Sequence, residues 1–365
     1  MAKAQSKLKV AIVHDWLIGG GAERVVEELH KIFPDAPIYT SYCTDEWRKR
    51  LDGKVITGYL QRLGGIRKFL PPLRALWFSR LDLSDYGLVI SSSGAEAKFI
   101  KIAKPAVHVA YIHAPTHYYW ARYDEYMKNP GFGWLDPIAR LGLKLLVGPM
   151  RRLDYKAAQR PDYLIANSSF TKEQINKYYG RDALVIHPPV DVDRFKILNK
   201  SSSSRRGFII AGRQTPYKRF DLAVLACTEL GLPLTVLGSG PDSKRLKKMA
   251  GSSIKFAGWV SNDEQVKLFQ SAEAFLFPGI DDFGVVAVEA LASGTPVIAY
   301  KAGGALDYVT KDTGLFFDEL NADSLVRTLR DFKSKNFDHG LIAKHAAQFS
   351  VASFRTNFLE FLKKL

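Results

Sequence analysis

Arg213 and Lys218 follow a short apolar run, Gly-Phe-Ile-Ile-Ala at 207–211, in the order Gly212-Arg213-Gln214-Thr215-Pro216-Tyr217-Lys218. Open α/β sheets bind ligands just beyond the carboxyl ends of their strands. Two cations in that position can hold a pyrophosphate between them; the alternative is a pair of solvated loop charges. Near the amino end, Val-Ala-Ile-Val at 10–13 leads through His14-Asp15 into Gly19-Gly20-Gly21, and helical periodicity begins at Val25. A glycine loop feeding a helix lets backbone N–H groups close on a phosphate that the helix dipole also favours. Gly20 and Gly21 are the candidates for that contact, although a triple glycine also makes a plain tight turn. Further on, Glu289 falls on an otherwise small and apolar helical stretch, where an unpaired carboxylate is costly. It requires a polar partner, either a ribose diol or an internal hydrogen bond or salt bridge. Asp281 is expected to cap the approach to that helix, and the amides of Phe283, Gly284 and Val285 at its start to face negative charge. His113 closes another apolar run, a position that a structural histidine also takes.

The elements that must position these residues are legible as short β-branched runs, each followed by a loop and a helical pattern. They lie at 10–13, 88–91, 107–112, 163–166 and 184–186, and again at 207–211, 234–237, 254–257, 274–277 and 296–299. Alternation of that kind marks parallel sheets with crossover helices. Between the two series, 193–206 contains four consecutive serines, Ser201 to Ser204, with the composition of a linker. The expected organisation is a domain at 1–192, a linker at 193–206, a second domain at 207–350, and a terminal helix at 351–365. Phe354, Phe358, Phe361 and Leu362 recur at helical spacing in that last segment, as in a helix that docks on something.

At 365 residues the chain exceeds the usual size of one hydrophobic core. With 47% hydrophobic and 24% charged residues it has the composition of an ordered globular protein. The net charge of +15 draws in anions, whether nucleic acid, acidic lipid or phosphorylated substrate. Zinc-finger spacing and RNA-binding strand motifs are absent, which argues against nucleic acid. Cys43 and Cys227 offer neither a disulfide framework nor a metal-ligand spacing. The polar first nine residues lack the apolar core of a secretory signal, and no stretch reaches the ~20 apolar residues of a membrane span. A cytoplasmic protein is expected. The acid-free segment 62–80, with Arg62, Arg67, Lys68, Arg74 and Arg80 among Phe69, Leu70, Leu76, Trp77 and Phe78, suits peripheral contact with an anionic membrane at the inner face of the plasma membrane. A second acid-free stretch, 138–153, carries Arg140, Lys144, Arg151 and Arg152. A solvated basic face is the alternative for both.

Taken together, Gly-Gly-Ala-Glu-Arg-Val at 20–25, Tyr-Ile-His-Ala-Pro at 111–115, Gly212-Arg213 with Lys218, and the acids Asp281 and Glu289 resemble glycosyltransferase family 4 over nearly the whole chain. The stretch 216–223 is similar to a branch containing mannosyltransferases of O-antigen and exopolysaccharide assembly. The resemblance implies a GT-B fold, with two Rossmann-like domains facing a cleft and a terminal helix crossing back to the amino-terminal, acceptor-binding domain. It implies that Gly20 and Gly21 approach the donor phosphates, that Arg213 and Lys218 neutralise the leaving diphosphate, that Glu289 binds the ribose, and that His113 sits beside the donor sugar. Asp281 stands where the family usually has glutamate, and 117–121 reads His-Tyr-Tyr-Trp-Ala where the branch commonly has Arg-Tyr followed by Trp-Asp.

The reaction so implied is transfer of a sugar with retention, mannose from GDP-mannose, to a saccharide or lipid-linked saccharide. No cofactor beyond that donor is expected. Asp191-Val192-Asp193 has the spacing of a metal-binding Asp-x-Asp, but it resembles the family's interdomain connection, and no metal is expected because protein cations stand in its place. The alternatives are a UDP-sugar-dependent enzyme of the same fold and a non-catalytic nucleotide-sugar-binding protein, which turnover of donor with acceptor separates.

Overall fold

A computed structural model describes residues 8–128, 130, 133–196 and 205–365, with the side chains at 66–69 left out. The serine run 201–204 and the side chains of Arg67, Lys68 and Phe69 therefore lie outside the described residues. The chain divides into two compact units, 1–188 and 189–365.

The first unit is a parallel sheet of β1 (Val10–His14), β2 (Ile38–Thr40), β3 (Val55–Thr57), β4 (Leu88–Ser93), β5 (Val107–Ile112), β6 (Tyr163–Ala166) and β7 (Leu184–Val185), in the order β3-β2-β1-β4-β5-β6-β7. Helices cover both faces of such a sheet, so its central strands read as continuous apolar runs. β4 departs from that rule: all six residues are buried, yet its second half is Ser91-Ser92-Ser93. Each hydroxyl has a partner, His108 for Ser91, His14 and His113 for Ser92, and the Ala95 carbonyl for Ser93. The second unit holds β8 (Phe208–Ala211), β9 (Leu234–Leu237), β10 (Ile254–Gly258), β11 (Ala274–Phe277), β12 (Val297–Tyr300) and β13 (Gly314–Phe317), again all parallel, in the order β10-β9-β8-β11-β12-β13. Two doubly wound α/β units are thus observed. The terminal helix Val351–Leu362 starts at Ser350, whose hydroxyl accepts the Ser353 amide, and it buries Phe354, Phe358 and Phe361.

Part of the segment 62–80, expected as a basic face, is buried. Helix Pro71–Ser79 turns Arg74, Trp77 and Phe78 inward. Arg74 Nε lies 2.8 Å from Glu96 Oε2 in a fully buried ion pair, with Tyr118 Oη 2.8 Å from its Nη2, and Trp77 and Phe78 join the core beside Phe99. Only Arg62 and Arg80 among its described cations are exposed.

Candidate active site

In a doubly wound sheet the strand order reverses at one place, and crossover connections leave from it in opposite directions, opening a crevice at the strands' carboxyl ends. In the first unit that place is between β1 and β4. β1 ends in His14, and Asp15 follows, 3% exposed. The Asp15 carboxylate accepts the backbone amides of Gly94 (2.6 Å), Ala95 (2.9 Å) and Ala97 (2.6 Å), which ties the loop after β4 to the end of β1. Glu23 does the same for the glycine loop, with Oε1 accepting the Gly19 amide at 3.0 Å and the Ile18 amide at 3.4 Å. The amides of Gly20 and Gly21, at the start of helix Gly21–Ile32, make no hydrogen bond among the described residues. They are the groups left to meet an anion. Across the crevice, His113 Nε2 lies 2.7 Å from Ser92 Oγ, which in turn lies 3.1 Å from His14 Nδ1, so a serine joins two histidines whose rings stand 6.1 Å apart.

In the second unit the order reverses between β8 and β11, and the two sequence-predicted residues that follow these strands meet there. Lys218 Nζ is 2.6 Å from Asp281 Oδ2, and both side chains are mostly buried. Their loops touch closely enough that a Cβ on Gly279 would stand 2.7 Å from the Lys218 Cα. Arg213 is exposed and makes no ion pair or hydrogen bond through its guanidinium among the described residues. Asp281 does not cap the helix that follows. Gly284 occupies the N-cap of Val285–Ala292 with φ 93°, and no side chain caps it, because Lys218 has taken the Asp281 carboxylate. A Cβ on Gly284 would lie 2.6 Å from both the Tyr308 hydroxyl and Phe277 Cζ, so only glycine fits. The Gly284 and Val285 amides have no hydrogen-bond partner among the described residues. Phe283 contributes backbone alone, since its ring is buried against Tyr308 and Phe349. Glu289 is 4% exposed; its polar partners include Arg194 Nη2 and Gln265 Nε2, each at 3.4 Å. Asp191 accepts the Arg194 amide and Asp193 pairs with Lys196.

Two family models match the chain in succession: "Glycosyltransferase Family 4" over residues 19–194 and "Glycosyl transferases group 1" over residues 191–350. Each of the two units thus matches a glycosyltransferase family model. D-inositol 3-phosphate glycosyltransferase of Streptomyces avermitilis is 29% identical over 206 residues, covering 47% of this chain and 44% of the relative. GDP-mannose-dependent alpha-(1-6)-phosphatidylinositol dimannoside mannosyltransferase of Mycobacterium tuberculosis is 25% identical over 200 residues, covering 50% and 52%. The chain thus spans about half the length of these relatives. Among solved structures, HepE of Anabaena in complex with UDP has a TM-score of 0.71 at 17% identity, covering 98% of this chain and 100% of that one. That likeness shows the GT-B fold.

Several residues that hold the first unit together carry no local signal of it. Lys98 and Asp154 form a fully buried ion pair at 2.7 Å, with Thr116, Trp120 Nε1 and the Tyr179 hydroxyl also bonded to Asp154. Tyr118 and Trp120, within the unusual 117–121 stretch, serve Glu96 and Asp154 respectively. Asp15 alone had a visible cue, an acid directly after a strand and before a glycine loop.

Proposed function

We propose that the chain is a retaining glycosyltransferase that moves mannose from GDP-mannose to a saccharide or lipid-linked saccharide in cell-surface polysaccharide synthesis. The observation that carries this reading is the second unit's crevice: the Lys218–Asp281 pair, the exposed Arg213 and the Gly284 and Val285 amides gather at the switch point of one sheet. Negative charge builds on the diphosphate as the glycosidic bond breaks. Arg213, Lys218 and the helix amides stabilise it from fixed positions, each such donor contributing about 3–4 kcal/mol to the barrier in known sites. With cations supplied by the protein, the leaving group needs no divalent ion. Glu289 takes the ribose hydroxyls, His113 the sugar, and Asp281 its hydroxyls through water, being one methylene shorter than glutamate. The mannosyl donor is supported by similarity to a GDP-mannose-dependent relative. Use of a UDP-sugar is the second reading, favoured by the UDP complex of HepE. A lipid-linked acceptor makes peripheral membrane contact part of the proposal.

A thermal-shift panel of GDP-mannose, UDP-glucose, UDP-N-acetylglucosamine and the free nucleotides tests the donor. A ligand at one hundred times its Kd adds about 2.7 kcal/mol of stability. GDP-mannose is expected to raise Tm most, with GDP retaining much of the effect. Preference for UDP ligands overturns the donor, and absence of any shift overturns the nucleotide-sugar site.

A further inference from the structure

The long helix Asp136–Ala158 is only half anchored. Its last turns bury Met150, Asp154, Ala157 and Ala158. Over 136–149 no residue is buried, although Ile138, Leu141, Leu143, Leu145, Leu146 and Val147 lie there. Ile138, Leu141 and Leu145 are 66%, 61% and 67% exposed, and Trp134, in the turn just before the helix, is 86% exposed. The spacing 138, 141, 145 sets three of these on one helical face, and Trp134 extends the same line. Followed further, that line reaches Arg152 and Lys156, with Lys144 at its flank, all exposed. No acid interrupts it. Asp136 stands at the helix start and is half-buried, while Asp154 is buried against Lys98.

We propose that this face docks on an anionic lipid bilayer, with Trp134, Ile138, Leu141 and Leu145 in the interface and Lys144, Arg152 and Lys156 among acidic headgroups. Apolar side chains bordered by cations without acids are what an amphipathic helix lying in the interface plane requires, and tryptophan concentrates at that depth. The helix lies on the bilayer and does not cross it: among the described residues no helix is long and apolar enough to span. A second copy of the chain is a poorer occupant, because each copy brings three cations to the joint and no acid to offset them. Segment 62–80 offers less to such a surface, because its Arg74, Trp77 and Phe78 are buried. It does not depend on which donor the crevice takes.

Flotation of the full chain with phosphatidylcholine vesicles and with equimolar phosphatidylcholine and phosphatidylglycerol vesicles tests the proposal. Binding is expected on the mixed vesicles, weakened by salt, and weak on the neutral ones. Each basic residue near such a surface contributes about fivefold to partitioning, so Lys144→Glu/Arg152→Glu/Lys156→Glu should lower it by about 100-fold or more. Ile138→Ser/Leu141→Ser/Leu145→Ser should remove the part of the binding that survives high salt. Both variants should melt close to the parent, since none of these side chains is buried, and Trp134→Phe should abolish a vesicle-induced blue shift in tryptophan emission. Failure of the parent to float, or parental flotation by both triple variants, overturns the proposal. So does a dimer in sedimentation velocity that the serine variant dissolves, which would assign the face to a second copy.

Discussion

Replacing Lys218 with alanine removes a cation from the end of β8 and also strands a carboxylate. The ammonium lies 2.6 Å from Asp281 Oδ2, and the two side chains keep only 19% and 14% of their surface in solvent. A hydrogen bond to a charged group contributes about 1.5–3 kcal/mol, so loss of the lysine's own contact with a diphosphate raises the Kd for GDP roughly 10- to 150-fold. Asp281, without its counter-ion, then faces the same anion. At about 6 Å and an effective dielectric constant of about 20, two like charges repel by roughly 3 kcal/mol. Lys218→Ala should therefore weaken GDP more than Arg213→Ala, whose guanidinium shields no described acid. The double variant Lys218→Ala/Asp281→Ala should bind GDP more tightly than Lys218→Ala alone, because the repulsive part is gone. Titration calorimetry with GDP on the four proteins reads the order directly. Turnover of donor should fall with binding in Lys218→Ala. Removing one partner of a mostly buried pair also costs up to about 3–5 kcal/mol of stability, so urea unfolding of the four proteins must show that each is folded at the titration temperature. If removing Asp281 from the Lys218→Ala background leaves GDP binding unchanged or weakens it further, the pair does not face the diphosphate and the reasoning fails.

Gly284→Ala must place a methyl 2.6 Å from the Tyr308 hydroxyl at φ 93°; a loss of about 1–3 kcal/mol in urea unfolding is expected, together with weaker nucleotide binding as the helix start moves. Lys98→Met leaves the fully buried Asp154 carboxyl without its counter-ion and should cost about 3–5 kcal/mol by the same measurement, with Lys98→Met/Asp154→Leu recovering part of it. Burial holds the His108 imidazole down to about 3 from the usual 6.5. The unfolded chain therefore binds the extra proton first, and stability falls as pH drops below about 6.5 and levels off near pH 3, by up to about 5 kcal/mol. His108→Asn should flatten that part of the melting-temperature profile, and an unchanged slope would assign the acid sensitivity elsewhere. Ser92→Ala should lower donor turnover while leaving the Kd for GDP intact, since the hydroxyl touches only the histidine pair; equal loss in both would make its role structural.

The strands that the sequence displayed were those long or apolar enough to show themselves. β2 and β3 are three residues each, Ile-Tyr-Thr and Val-Ile-Thr, and β13 is Gly-Leu-Phe-Phe. Such segments become strands by pairing with a neighbour already in place, which no local preference reveals. Lys218 and Asp281 were each visible as residues following a strand, but their meeting was not, because β9 and β10 intervene in sequence while β8 and β11 are neighbours in space. The misreading of Arg74 has the same origin. A run without acids looks like a basic surface until Glu96 arrives from the loop after β4 to pair with it. Asp281 was assigned to the wrong partner for a related reason: the helix that follows is glycine-capped, and a lysine on another loop claims the carboxylate.

Neither sheet borrows a strand from the other: β1 to β7 end at Val185 and β8 begins at Phe208. On a ribosome the amino-terminal unit therefore has its whole hydrogen-bonded sheet outside the exit tunnel while most of the second is still untranslated. Elongation at about 5–20 residues per second takes roughly 10–35 s over the second unit alone, longer than the milliseconds to seconds in which such domains usually fold. The buried Lys98–Asp154 and Arg74–Glu96 pairs can thus be sealed while most of the second unit is still to be made. A substitution that slows that sealing would expose four unpaired charges and seven strand backbones to a nascent neighbour on the same messenger, so its damage would be read in yield and aggregation during synthesis more than in the rate of the finished protein.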